Sequence, residues 1–333
     1  MCRIGTTENR RLQLHIYILG YHPMGESQLI IVYERDVKIV HKAILIDCFE
    51  QKNVNRMSSI LEKYNIKTKK LDYIIWTHPD RDHSIGFDNI IRKYSDDKTL
   101  FILPDGVTSS KITTKVAKKT LRDIQNFTKP DFNNLDKVSV SNHRSPTRYK
   151  TIYFDDGFSD TIDFYIEVLT PFSGYVFKKQ ECHRGFIQND ISLSVLIHFG
   201  ALNFYFGGDS ENGNISLIDS NILRGVDFIK IPHHSSAASS KLINKVNESY
   251  TANRPIIAVS TSFSYGKSHL PDTEILNSYK GYCDKILLTH NDCNINKYGI
   301  CKFVYNIQSQ ELYLPEMMAD SSMYYSQTMV ANS

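Results

Sequence analysis

The stretch Trp76-Thr-His-Pro-Asp-Arg-Asp-His83 places two histidines and two carboxylates within six residues. Imidazole nitrogen and carboxylate oxygen are the ligand atoms that zinc, manganese and iron accept. The apolar run Leu71-Asp-Tyr-Ile-Ile-Trp76 ahead of them reads as a buried strand, and residues 84–94 carry apolar side chains at helical spacing. The four polar groups therefore stand where a strand gives way to a helix, and such a turn aims neighbouring side chains in different directions. His78 and Asp80 can face one metal ion while Asp82 and His83 face a second. One His beside one Asp at a strand end is ordinarily a hydrogen-bonded pair. Four ligand groups in six residues point to metal binding instead.

Other strand-like runs end in the same chemistry. Ala43-Ile-Leu-Ile-Asp47 closes on an aspartate, Ala201-Leu-Asn-Phe-Tyr-Phe-Gly-Gly-Asp209 on another, and Val226-Asp-Phe-Ile-Lys-Ile-Pro-His-His-Ser-Ser236 on a histidine pair. Only one member of an adjacent His pair can readily face a site, leaving the other to orient a neighbour or contact substrate.

The first motif resembles the HxHxDH signature of the metallo-β-lactamase fold, with Asp80 in place of the second His. The later runs resemble that family's bridging aspartate and final His ligand, and Asp47 matches an early Asp that supports the site. The chain is similar, more closely, to the soluble hydrolase domain of the ComEC family of DNA-uptake proteins, which favours HxDxDH. In this likeness Asn189-Asp-Ile-Ser192 stands for an Asn-Asp-x-Ser segment and His233-His-Ser-Ser236 for His-His-Gly-Ser. Tyr265-Gly-Lys-Ser-His-Leu-Pro271 stands for a Tyr-Gly-His-Pro-like element, and Met24-Gly-Glu-Ser27 is a shadow of an early Gly-x-Gly-Asp. Two departures fall at the pocket rim: Ser235 replaces a Gly, and two residues separate Gly266 from His269.

The resemblance implies an α/β fold, a four-layer αββα sandwich, holding two divalent metal ions, Zn or Mn. One ion would take His78, Asp80 and Asp190, with Asn189 the rival of Asp190; the other would take Asp82, His83 and His234, with His233 the rival of His234. Asp209 would bridge ions about 3.5–4 Å apart. A metal-bound hydroxide would be the nucleophile, with Asp82 and Asp209 at the reaction centre and His269 as an acid or phosphate contact, an exposed loop His being its alternative. The carboxylate-rich set leans towards harder ions such as Mn²⁺. The activity implied is that of a phosphodiesterase or nuclease acting on DNA or nucleotides. A metallo-hydrolase of another ester or amide, peptides included, and a non-catalytic partner-binding protein are the alternatives. Against the last, clustered carboxylates repel one another without a cation.

Composition bounds these readings. In 333 residues, 41% are hydrophobic, enough for a full core, so a disordered carrier is excluded. A net charge of +3 neither demands nor excludes nucleic acid. The first ten residues hold no apolar h-region and no run is long enough to cross a bilayer, so a cytoplasmic, free-standing enzyme with no membrane association is expected. Six cysteines without a CxxC pair are expected as reduced packing residues, Cys48 included.

A single hydrolase domain is expected over 1–316, with a basic insert at about 105–160 and a flexible tail at 317–333. Strands are expected near 12–19, 29–33, 43–46, 71–76, 100–104, 162–169, 192–199, 203–207, 228–232, 256–260, 285–289 and 300–307, and helices near 53–64, 84–94, 111–127 and 273–279. The insert's Lys111, Lys115, Lys118, Lys119, Arg122, Lys129 and Lys137 could track a phosphate backbone, but without interleaved aromatics a solvated helix face is preferred.

Overall fold

The structure, a computed structural model, describes residues 12–21, 23–50, 56–104, 107–127, 137–138, 147–148, 152–155, 161–181, 188–249, 256–289, 298–306, 311–319 and 322–326. It opens with an antiparallel meander of β1 (Leu12–Tyr21), β2 (Glu26–Glu34) and β3 (Ile39–Ile46). Helices α1 (Arg56–Lys63) and α2 (Ile66–Lys69) then carry the chain to β4 (Tyr73–Ile75), parallel to β3. Helix α3 (Phe87–Tyr94) leads to β5 (Leu100–Pro104), and α4 (Lys115–Phe127) precedes the short β6 (Lys137–Val138).

The second sheet takes β7 (Thr147–Arg148), β8 (Ile152–Asp155), β9 (Thr161–Thr170), and, after α5 (Ser173–Glu181), β10 (Ser194–Phe199) and β11 (Leu202–Phe206). Helix α6 (Asn212–Ile215) leads to β12 (Phe228–Lys230), and α7 (Lys241–Ser249) to β13 (Ile257–Ser260). A separate hairpin, β14 (Phe263–Tyr265) with β15 (Ser268–Leu270), comes before α8 (Thr273–Tyr279) and β16 (Lys285–Leu288). Strands β11, β12, β13 and β16 are parallel. The chain then returns to the edge of the first sheet as β17 (Tyr298–Asn306) and β18 (Glu311–Ala319), and to the edge of the second as β19 (Ser322–Ser326).

Period-two alternation sorts the apolar residues into layers. From β1, Leu14, Ile16 and Ile18 enter an inner core with Ile30 and Ile44 of the first sheet and Ile166, Val195, Phe204, Phe228 and Val259 of the second. Their neighbours Tyr17, Leu19, Leu29 and Leu45 point outward, against Met57, Leu61, Phe87, Ile90 and Leu121 of α1, α3 and α4. On the far side, Tyr205, Ile229 and Ala258 meet Ile215, Leu242, Val246, Leu276 and Tyr279 of α6, α7 and α8. The result is a mixed α/β sandwich, two sheets face to face with helices on both outer faces. Local chemistry sets the helix limits. Phe87, Ile90, Ile91 and Tyr94 give α3 one buried stripe, and Asp272 caps α8 by accepting from the amides of Glu274 and Ile275.

One expectation needs correction. The expected tail from 317 is strand at Met317–Ala319 and again in β19, which pairs with β16; an edge strand needs only extended backbone to join a sheet, so a run rich in Ser, Met and Tyr suffices. Residues 327–333, like the expected polar loop across most of 128–146, lie outside the described residues. Helices α5 and α7 were not foreseen; α5 has only a weak apolar stripe. Lys119 of α4 is paired with Asp88 at 2.7 Å and Asp123 at 3.1 Å, which suits a solvated face. No helix among the described residues is long and apolar enough to cross a membrane. Cys48 and Cys283 are buried free thiols, and Cys301 is buried as well.

A candidate metal centre at the shared edge of two sheets

Parallel strands end at a common edge, so the residues that follow β3, β4, β11, β12 and β13 gather there. Asp47 follows β3, the His78–His83 motif follows β4, Asp209 follows β11, His233 and His234 follow β12, and Thr261 follows β13. Strand β2 runs opposite to β3, so its first residue, Glu26, starts from the same edge.

Each ligand loop is locked by its own backbone. Asp47 has a left-handed φ of 55°, donates its amide to the Ile75 carbonyl, and accepts the Thr77 amide at 2.8 Å. Across the motif turn, the Trp76 indole donates to Ser84 Oγ, which donates to the Asp80 carbonyl. Asp82 and His83 lie in a single 3-10 turn, Arg81–His83. Gly208, at φ 51°, lets Asp209 follow β11 closely; a Cβ there would lie 2.4 Å from the Leu193 carbonyl oxygen. The Asp209 amide donates to Ser192 Oγ at 2.8 Å.

His233, His234 and Ser235 are three consecutive residues in the left-handed region, φ 49°, 51° and 62°. Non-glycine residues held there store strain that surrounding structure must over-determine, a common property of functional sites. This explains why Gly suits the position of Ser235. Here the serine is held in place by donating to Ser260 Oγ at 2.6 Å.

Asp82, His83, Asp209 and His234 close into one buried group whose ligand atoms lie within 4.8 Å of one another. Asp209 sits at its centre: Oδ1 is 3.3 Å from His83 Nε2, while Oδ2 is 3.7 Å from His78 Nε2 and 4.0 Å from His234 Nε2. Asp82 Oδ2 is 3.2 Å from His234 Nε2 and 3.5 Å from His83 Nε2. On the other flank of Asp209, His78 Nε2 lies 3.5 Å from Asp80 Oδ2, and Asp80 is the more exposed of the ligand candidates. The structure thus brings six predicted residues together, His78, Asp80, Asp82, His83, Asp209 and His234, while His233 Nδ1 lies 3.5 Å from Glu211 Oε1.

The other predicted residues lie differently. Asp190 is buried, and its Oδ1 is engaged by the Tyr175 hydroxyl at 3.0 Å and Lys179 Nζ at 3.2 Å; it is not one of the four clustered groups. Asn189 donates to Glu211 and lies 3.5 Å from His233 Nε2. His269 is exposed and hydrogen-bonds Ser264. The segment around it forms a hairpin: Gly266 and Lys267 make the turn, so His269 pairs with Ser264 and Phe263 with Leu270. Phe263 packs on the His234 ring, 5.1 Å between centroids, and alternation sends His269 to the opposite face. The expected role of His269 at the reaction centre is corrected on that ground.

Sequence reasoning did not assign Glu26, Thr77, Lys230 or Thr261. They share one job. Thr77 Oγ1 donates to Asp47 Oδ2 at 2.6 Å and so accepts from His78 Nδ1 at 3.0 Å, while His83 Nδ1 donates to Asp47 directly at 2.7 Å. Both imidazoles therefore turn Nε2 towards Asp209. The only foreshadowing was the Gly-Glu pair at 25–26, whose chemistry a sequence cannot assign without knowing what faces it.

What remains is a set of buried polar atoms without partners: His78 Nε2, His83 Nε2 and Asp209 Oδ1 form no hydrogen bond, although neighbours stand close. Buried polar atoms without a hydrogen bond are costly, and three of them around one His and Asp cluster is what cations would satisfy. Nitrogen and carboxylate donors of this kind fit Zn²⁺ or Mn²⁺. Burial opposes charge on all these groups, yet paired charge prevails. The imidazoles of His83, His234 and His233 hold Asp209 well below the usual carboxylate range, and His83, with His234, lowers Asp82. Against burial, Asp209, Asp82 and Asp47 raise His83 well above the ordinary imidazole value.

This charge pattern gives a signed prediction. The raised His83 stabilises the metal-free fold below the ordinary His value and loses that contribution as pH rises through its own higher value. The depressed Asp209 and Asp82 contribute above the ordinary Asp value and cease to do so only in stronger acid. A cation must displace the His83 proton. Melting curves at about pH 6 and about pH 8.5 should therefore show the chelated protein less stable at the higher pH, and the gain from added Mn²⁺ or Zn²⁺ larger there. A gain that shrinks with pH would contradict the assignment.

No protein-family model and no curated protein matches the chain.

Proposed function

We propose that the chain is a metal-dependent hydrolase of metallo-β-lactamase fold, similar to the ComEC hydrolase domain, that cleaves phosphodiester bonds in DNA or nucleotides. The observation that carries the reading is that His78 Nε2, His83 Nε2 and Asp209 Oδ1 are buried without hydrogen bonds at the closed group of Asp82, His83, Asp209 and His234, with His78 beside it. Asp82, His83 and His234 would hold one cation, His78 and Asp80 a second, with Asp209 shared. Bound there, such cations lower the pKa of coordinated water and neutralise charge on a phosphoryl oxygen. The chain's own residues supply the rest. Asp47 and Thr77 fix the directions of His83 and His78, Phe263 walls one side of His234, and the half-exposed Asp80 marks the open side. No side-chain nucleophile is required.

One observation favours a small substrate over a polynucleotide. Lys119, the insert residue best placed to track a backbone, already has two carboxylate partners. The test is hydrolysis of single- and double-stranded DNA and of a chromogenic phosphodiester, with Mn²⁺ or Zn²⁺ supplied and over a range of salt. Expected is chelator-sensitive cleavage of the chromogenic diester. A steep loss of DNA binding with salt, flattened by charge reversal at Lys115 and Lys119, would identify a polynucleotide substrate. Metal binding with no phosphodiester cleavage would overturn the substrate reading and leave ester or amide hydrolysis.

A further inference from the structure

Lys230 and Glu26 form an ion pair at 2.7 Å, with both side chains wholly buried. Lys230 ends β12 in the second sheet and Glu26 begins β2 in the first, so the pair ties the two sheets together at the edge where their ligand loops meet. Buried ion pairs are weak stabilisers compared with apolar packing. One placed beside a ligand histidine calls for another explanation.

The hydrogen bonds supply it. Glu26 accepts from Gln28 through Oε1 and from Lys230 and Thr261 through Oε2, so its oxygens act only as acceptors. Thr261 has a single hydroxyl proton, and it goes to Glu26. The Thr261 oxygen is then left to accept from His234 Nδ1, 2.9 Å away. His234 Nε2, on the other side of the ring, hydrogen-bonds Asp82 Oδ2 at 3.2 Å and lies 4.0 Å from Asp209 Oδ2, the place a cation would take. We propose that Lys230, Glu26 and Thr261 form a positioning relay that holds His234 Nδ1 as the donor to Thr261 and so presents Nε2 to a cation. This inference rests on the metal-centre reading for its purpose but not for its geometry. Thr77 and Asp47 act on His78 by the same logic, so a threonine hydroxyl turned by a buried carboxylate sets a ligand imidazole in each half of the site.

The test is Thr261→Val, which keeps the shape and removes the hydroxyl, beside Thr261→Ser, which restores it. Two readouts are needed: Zn²⁺ affinity by chelator competition, and nitrogen-15 NMR of the metal-free protein to show whether the His234 Nδ1 proton is held in a hydrogen bond. Thr261→Val should weaken Zn²⁺ binding by about 10–100-fold, and Thr261→Ser should recover most of it. The valine variant should also lose the hydrogen-bonded His234 Nδ1 proton signal that the parent shows. Glu26→Gln should act in the same direction; should it fail to fold, the threonine variants still decide. Unchanged affinity and an unchanged Nδ1 proton signal in Thr261→Val would overturn the relay. A parent protein that binds no Zn²⁺ would overturn the metal reading instead, and the NMR comparison would still judge the relay.

Discussion

Replacing Asp209 by asparagine should remove tight metal binding, and metal-dependent hydrolysis with it, while leaving the fold intact. Both carboxylate oxygens of Asp209 face imidazole nitrogens, Oδ1 that of His83 and Oδ2 those of His78 and His234. It is the one residue that joins the two flanks of the site. Asparagine keeps the size, but it lacks the negative charge and offers only one acceptor oxygen. Loss of a residue that merely orients a ligand costs about 10–100-fold in metal affinity, so loss of the shared ligand should exceed about 100-fold. The fold should survive because Asp209 is positioned through its backbone, by Ser192 and the turn at Gly208. Metal titration alongside circular dichroism checks both halves. Parent-like affinity in a folded Asp209→Asn protein would show that the cluster is not a ligand set.

The largest effect on stability is expected at Lys230. Lys230→Met leaves Glu26 as a buried carboxylate without its cation, and breaking a buried pair in this way costs about 3–5 kcal/mol. Replacing both partners by apolar residues removes the stranded charge, so Glu26→Met with Lys230→Met should recover much of that loss. Stability and metal binding should then separate. The double variant should unfold at a denaturant concentration near that of the parent yet bind Zn²⁺ weakly, because Thr261 has lost the acceptor that turns its hydroxyl. A loss below about 1 kcal/mol in Lys230→Met would mean that the pair is not the buried, desolvated contact described above.

Much of the site was legible because its residues sit at the ends of apolar runs. The runs before Asp47, His78, Asp209 and His233 announce strands, and parallel neighbours must deliver their C-terminal ends to one edge. Period-two alternation made the strands themselves recognisable, and the helical spacing of Phe87, Ile90, Ile91 and Tyr94 did the same for α3. What stayed hidden depends on pairing across long stretches of chain. Nothing local in Met-Gly-Glu-Ser tells that Glu26 will meet Lys230 from the opposite sheet. His269 followed a motif whose spacing had changed, and a two-residue turn sufficed to move it to the other face of a hairpin. Asp190 was assigned from its place in a motif, while its surroundings give its carboxylate Tyr175 and Lys179 as partners. The strands near the end of the chain were missed because edge pairing leaves little mark on composition.

The most direct test of the central claim is the metal content of the protein purified without chelator, followed by titration of the stripped protein with Mn²⁺ and Zn²⁺. About two ions per chain, or saturable binding of about two with a rise in melting temperature, is the predicted result. A folded protein that retains no metal and whose melting temperature neither ion moves would contradict it.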